Sequence, residues 1–220
     1  MSEDVNAARA RRLETATLSD ALDRLGIIGQ CKGLQPRDPG FRLVGRARTI
    51  LYGPPGVPVG TVGDYIDDVD PGEVIVLDNG GREDVTVWGD ILTEIAHRRK
   101  LGGTVIDGIC RDVHLCRSLG YPVFSRGHWM RTGKDRVQVE ASDVPVTIGE
   151  ARVAAGDLMV GDADGMLVLP RAHEEQILAV AEEIHATEEA IRSAVRGGQR
   201  LDEARKAFKY HSLQTREVTR

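Results

Sequence analysis

Apolar side chains recur along this chain with two periods. Over residues 89–100, Ile91, Leu92, Ile95 and Ala96 fall at helical spacing, with Glu94, His97, Arg98 and Arg99 on the other side, which predicts an amphipathic helix. Asp90 stands where a cap or first-turn carboxylate belongs, and the basic run His97 to Lys100 suits the negative end of the helix dipole. Residues 13–25 repeat the pattern: Ala21, Leu22 and Leu25 supply a buried face, Thr17 or Ser19 can cap it, and Gly26 closes it. A long helix is predicted over 172–196, where Ile177, Leu178, Ala181, Ile184, Ile191 and Val195 line one face before Gly197-Gly198. A more polar helix is expected over 201–218.

Strands read differently. Residues 41–52 alternate, whereas 73–78 (EVIVLD) form an unbroken apolar run of the kind covered on both faces. Short strands are expected at 104–107, bracketed by Gly102-Gly103 and Gly108, and at 123–125, with a helix over 112–119 between them. Residues 73–125 thus alternate strand, helix, strand, helix, strand, which predicts parallel pairing through right-handed crossovers. A short helix is predicted at 64–69. Beyond it, strands at 136–140, 144–148, 158–161 and 166–169 are separated by turn residues and expected to pair antiparallel.

Composition narrows the chemistry. Hydrophobic residues make up 41% of the 220 but aromatics only 4%, so the core must come from Val, Ile, Leu and Ala, and 25 glycines favour tight turns and short strands. A net charge of −5 argues against a nucleic-acid surface. The first twelve residues have no apolar segment of the signal-peptide kind, and no run is long enough to cross a bilayer; a cytoplasmic protein with no membrane partner is expected. Cys31, Cys110 and Cys116 lack metal-finger spacing and are expected to be small buried thiols. The 53–63 stretch, GPPGVPVGTVG, lacks the Lys-Ser/Thr ending of a phosphate loop, and its prolines remove amide donors. Asp162 and Asp164 lack the further acidic ligands of a calcium loop, so a hairpin turn is expected there.

The candidate site lies where the 89–100 helix begins and the 104–107 strand ends. Free N–H groups at a helix start favour a carboxylate or phosphate. Arg111 adds a planar fork for a carboxylate or oxyanion, and Asp112 is a hard oxygen ligand for Mg2+ or Mn2+. Together they suit a 2-oxo acid, with its carboxylate on the amides and Arg111 and its keto oxygen on the metal. Taken singly, an Arg-Asp pair at a strand end reads as a structural ion pair and Asp90 as a helix cap; the ensemble carries the specificity.

Asp90, twenty intervening residues and then Arg111-Asp112 resemble the signature of class II aldolases acting on 4-hydroxy-4-methyl-2-oxoglutarate and 4-carboxy-4-hydroxy-2-oxoadipate, within the RraA-like family. The resemblance extends over TATLSDAL (15–22), PGEVIVLDNGG (71–81), VWGDIL (87–92), GGTVIDGICRD (102–112), YPVFSRG (121–127) and GDLMVGDADGMLVLP (156–170). It implies an α/β fold with a β/β/α swivelling-type core over 1–170 and a helical extension over 171–220, packed on the core or on a neighbouring subunit. It implies homotrimers or homohexamers with sites between subunits, Gly89, Asp90, Ile91, Leu92 and Arg111 around the substrate, and Asp112 on the divalent ion. It also implies a catalytic glutamate from the neighbour's C-terminal helix, matched here by Glu188 or Glu189. The expected reaction is retro-aldol cleavage of a 4-hydroxy-2-oxo acid to pyruvate, with Asp90, Arg111 and Glu188 as its catalytic groups and oxaloacetate decarboxylation as a side activity. The competing expectation is the regulator branch, whose members inhibit ribonuclease E and generally lack the metal-binding aspartate. A third is a related lyase with another substrate, because the 128–136 segment HWMRTGKDR departs from the family's usual loop.

Overall fold

The computed structural model describes residues 4–210. Two helices open the chain, α1 (Val5–Ala10) and α2 (Thr15–Leu25). A short strand β1 (Gln35–Pro36) and a long one, β2 (Leu43–Gly53), precede a single 3-10 turn at Asp64–Asp68. Then come β3 (Val74–Thr86), α3 (Asp90–Arg98), β4 (Gly103–Cys110), α4 (Val113–Leu119) and β5 (Val123–His128). Strands β6 (Gln138–Ser142), β7 (Val146–Ile148), β8 (Ala151–Val153), β9 (Leu158–Asp162) and β10 (Gly165–Leu169) follow, and helices α5 (Glu174–Arg196) and α6 (Leu201–Ala207) come last. This is the mixed α/β order expected from the alternating segments. No helix of the described residues is long and apolar enough to cross a membrane.

The chain divides into two compact units. The larger, Gly29–Arg171, is built on a sheet ordered β1-β5-β4-β3-β2-β9-β10, with β6 also paired to β2. Strands β2, β3, β4 and β5 pair parallel, as the alternation of strand and helix required, and the remaining pairs are antiparallel. Val74, Ile75, Val76 and Leu77 of β3 and every residue of β4 are buried, which accounts for their unbroken apolar sequence. The expected DADG turn joins β9 to β10, with the Asp164 amide donating to Asp162 Oδ1 at 3.0 Å.

Several elements differ from expectation. Strand β3 does not stop at Asp78 but continues to Thr86, with its register against β4 shifting between Asp78 and Arg82 and again between Arg82 and Thr86. Gly80 and Gly81 carry the chain through the first shift at φ 61° and 70°, and these two glycines are what made the stretch read as loop. Gly108, expected to end its strand, lies inside β4; a Cβ there would come within 3.1 Å of the Arg82 carbonyl oxygen. Strands β1 and β8 and helix α1 have too few apolar positions to show a period. Neither Thr17 nor Ser19 caps α2: Glu14 is the cap residue and Thr17 is buried. The last helix ends at Ala207, and positions 211–218 of its expected span lie outside the described residues.

The second unit combines Met1–Ile28 with Ala172–Arg220, so the first 28 residues group with the C-terminal helices and not with the expected 1–170 core. The reason is a shared apolar face. Ala7, Ala10, Leu18, Ala21 and Leu22 of α1 and α2 are buried, as are Ile177, Leu178, Ala181 and Ile184 of α5. Around this contact Arg9 pairs with Glu175 at 2.8 Å and Glu182 at 2.7 Å, and Arg24 pairs with Glu183 at 3.2 Å. Such exposed pairs fix register more than they stabilise; the buried aliphatic groups hold the helices together.

Candidate active site

Two turns of the sheet unit are tied into one by backbone and side-chain bonds. The Arg111 amide donates to the Trp88 carbonyl at 2.9 Å, joining the end of β4 to the start of α3. The Trp88 indole N–H donates to Thr93 Oγ1 at 2.9 Å, and that hydroxyl donates in turn to the Gly89 carbonyl at 2.8 Å. Trp88 is buried and stacks on Tyr121 with ring centroids 6.3 Å apart. The aromatic anchor and the threonine clamp set where α3 begins relative to Arg111.

Asp112 follows in the left-handed region, at φ 56° and ψ 38°. For a residue with a Cβ this costs on the order of 1–2 kcal/mol. Its Oδ2 accepts the Asp90 amide at 3.1 Å and lies 3.3 Å from Arg111 Nε, while Oδ1 has no partner among the described residues. Gly89 makes this approach possible: a Cβ there would stand 2.9 Å from Asp112 Oδ2 and 3.1 Å from Arg111 Nε. Its own backbone is extended, at φ −150°, so the requirement is space and not conformation. An ion pair this exposed adds little stability.

At the start of α3 two amides are already committed, Asp90 to Asp112 Oδ2 and Ile91 to Asp90 Oδ1 at 2.8 Å. The Thr93 amide closes on the Gly89 carbonyl. The Gly89 and Leu92 amides therefore remain without acceptors among the described residues. A cavity of about 430 Å³ opens here, lined by Gly89, Asp90, Ile91, Leu92 and Arg111. Asp112 does not line it, and adjoins it through Gly89, the Asp90 amide and Arg111. Glu188 and Glu189 belong to the helical unit, where both pair with Arg192, at 3.2 Å and 2.5 Å.

Sequence reasoning missed part of the wall. Ile66, Asp64 and Asp67 of the 3-10 turn also line the cavity, as do Thr132, Gly133 and Lys134. The only signal for the latter three was that their segment departs from the family's usual loop. Trp88 and Thr93 were also unassigned; a tryptophan directly before a glycine-started helix was the available clue.

The donor set limits which metal fits. No three His, Cys, Asp or Glu side chains come together among the described residues, so a closed cage of the structural-zinc kind is absent from them. Asp112, with one free carboxylate oxygen and a side chain 31% exposed, fits a hard divalent ion that keeps most of its waters. All three cysteines are buried, as expected. Burial pushes the Cys31 thiol up to about 12 and Cys116 to about 11, and raises Cys110, so none is a thiolate at neutral pH.

This α/β fold, with a guanidinium and a carboxylate beside a helix start, has close counterparts. Residues 15–168 match the family model described as RraA-like, Aldolase/RraA, and the chain belongs to the RraA-like family. Protein DlpA of Legionella pneumophila is 39% identical over 89% of this chain, which spans only 32% of the length of DlpA. A Halalkalibacterium halodurans protein named "Putative 4-hydroxy-4-methyl-2-oxoglutarate aldolase" is 32% identical, covering 84% of this chain and 86% of that one. Among solved structures, an uncharacterized Pseudomonas syringae protein superposes with a TM-score of 0.85 at 41% identity, over 92% of this chain and 98% of its own. Streptomyces coelicolor RraAS2, titled an unusual member of the RNase ES inhibitor RraA family, does so with a TM-score of 0.79 at 29% identity, over 86% and 96%.

The burial of the thiols predicts that the native protein labels slowly with an aromatic disulfide reagent at pH 7, and faster as the pH approaches 11. Denaturation should expose all three cysteines at once. Rapid stoichiometric labelling of the native protein at pH 7, followed by absorbance, would contradict the buried assignment.

Proposed function

We propose that this chain is a carbon–carbon lyase that cleaves a 4-hydroxy-2-oxo dicarboxylic or tricarboxylic acid to pyruvate, with Mg2+ or Mn2+ at Asp112. The observation that carries the reading is the gap at Gly89, which admits a guanidinium, a carboxylate and a helix start to one point. The aldolase name of the Halalkalibacterium relative supports the same reaction class. When bound, a divalent ion supplies Lewis-acid polarisation of the substrate's keto oxygen.

Arg111 grips the C1 carboxylate and keto oxygen through its planar fork, and the Gly89 and Leu92 amides add donors aligned with the helix dipole. Asp90, whose Oδ2 has no partner among the described residues, holds the water that takes the proton from the C4 hydroxyl. The C3–C4 bond then breaks. Its electron pair moves into a C2–C3 double bond, the keto oxygen becomes an enolate oxygen, and C4 leaves as a carbonyl. Positive charge from Arg111 is worth most at this step, where negative charge builds on that oxygen. Protonation at C3 yields pyruvate. Oxaloacetate decarboxylation needs the same enolate and follows as a side activity.

We also place the site between subunits of a trimer or hexamer, where Glu188 of a neighbouring copy assists proton transfer. Kinship with RraAS2 supports a second reading, a protein that inhibits a ribonuclease. The free Asp112 oxygen beside Arg111 favours the lyase, because an inhibitor acting through its surface has no use for an uncommitted carboxylate oxygen adjoining a cavity.

Asp112→Ala should abolish pyruvate release from 4-hydroxy-2-oxo acids, measured by a coupled assay, without loss of folded structure, and a chelator should do the same to wild type. Arg111→Lys should lower kcat/KM by at least about a hundredfold, since a point charge cannot replace the fork. Full turnover in chelator, or near-wild-type turnover of the lysine variant, sinks the reading. Ribonuclease inhibition assayed beside it should be absent.

Mixed oligomers test the shared site. Combining Glu188→Ala with Arg111→Ala chains should restore part of the activity that each lacks alone. No recovery in verified mixed assemblies would remove Glu188 from the reaction.

A further inference from the structure

The cavity that Arg111 lines has a second basic residue in its wall. Lys134 and Arg111 are the two basic residues lining it among the described residues. Arg111 is already 3.3 Å from Asp112, and its fork is spoken for by the pyruvyl end of the substrate. Lys134 has neither an ion pair nor a hydrogen bond to its ammonium among the described residues. Three aspartates line the same cavity: Asp67 lies 3.9 Å from Arg99, Asp90 holds the Ile91 amide through one of its oxygens, and Asp64 is exposed. Lys134 is the uncommitted positive charge.

Its position is built and not accidental. The Arg131 carbonyl accepts both the Thr86 amide at 3.0 Å and the Thr86 hydroxyl at 2.9 Å, which fastens the loop to the last residue of β3. A Cβ on Gly133 would run into the Thr86 carbonyl oxygen, so only glycine lets the loop lie that close. The Gly133 carbonyl then accepts the Arg136 amide at 2.9 Å and the Val137 amide at 3.1 Å, closing a tight turn whose Val137 is buried. Lys134 stands on that turn. A cavity of about 430 Å³ is in the range of small-molecule sites, and a three-carbon pyruvyl group fills only part of it.

We infer that Lys134 is a specificity-determining residue whose ammonium takes the second carboxylate of a 2-oxo dicarboxylic acid, so that the site selects dianions over 2-oxo monocarboxylic acids of similar length. The inference rests on the lyase reading for its reaction but not for its binding. A carboxylate left unpaired in the cavity would lose its hydration without compensation, whereas a charge-assisted hydrogen bond returns it. The effect belongs to ground-state binding and falls on KM more than on kcat.

The test uses the full chain with Mg2+ and two unreactive probes, 2-oxoglutarate and 2-oxopentanoate, whose affinities are measured calorimetrically for wild type, Lys134→Met and Lys134→Arg. Wild type should prefer 2-oxoglutarate. Lys134→Met should lower that preference by about tenfold or more, and Lys134→Arg should keep most of it. In turnover, the ratio of kcat/KM for a dicarboxylic over a monocarboxylic 4-hydroxy-2-oxo acid should fall by the same factor, chiefly through KM. Unchanged preference in Lys134→Met, no preference in wild type, or binding of neither probe overturns the inference. If Lys134 governs the preference in a protein that cleaves none of the acids, the inference holds and the lyase reading fails. If cleavage is efficient and Lys134 is indifferent, the reverse is true.

Discussion

A missing Cβ governs the candidate site. With a side chain at position 89, Asp112 Oδ2 and Arg111 Nε would have to give way, since they stand 2.9 Å and 3.1 Å from where that carbon would lie. The shift would loosen the bond from the Asp90 amide to its carboxylate acceptor. The guanidinium and the carboxylate thus meet the helix start through one close approach. That approach in turn needs the Trp88 carbonyl to hold the Arg111 amide.

The rest of the sheet unit supplies rigidity at the places this contact needs it. Strands β3 and β4 are buried at its centre, and both run past their expected ends toward the two turns of the site. The register shifts in β3 carry its last residues to Thr86, which fastens the loop of Lys134, and then to Trp88, which anchors α3. One strand extension therefore positions two parts of the cavity wall. Bulged strand ends beside candidate sites are a recurrent way of aiming side chains.

Much of this was legible in the sequence. The apolar run at 73–78 announced a strand covered on both faces, and the periodicity at 89–100 placed α3. Asp90 and Arg111-Asp112 stood out through their spacing, which resembles the family signature, and not through their chemistry taken singly. What escaped was set by tertiary contact. Gly80, Gly81 and Gly108 have the sequence signature of turns, yet the first two carry a strand through a bulge and the third lies inside one where backbones crowd. Nothing local announces that Asp112 adopts a left-handed conformation, that Lys134 lines the cavity, or that α1 and α2 group with α5. Ionic chemistry near a helix start leaves a local mark, whereas proximity across the 173 positions between Arg9 and Glu182 does not.

The central claim is that Asp112 holds a divalent ion through its free oxygen, and direct ion binding tests it apart from any substrate. Mn2+ titrated into the protein can be followed by electron paramagnetic resonance, since the sharp signal of the hydrated ion fades when it binds. Wild type should remove that signal saturably, and Asp112→Asn, which keeps the size of the side chain but not its charge, should leave it intact. Equal binding by the two proteins, or none by either, would contradict the account.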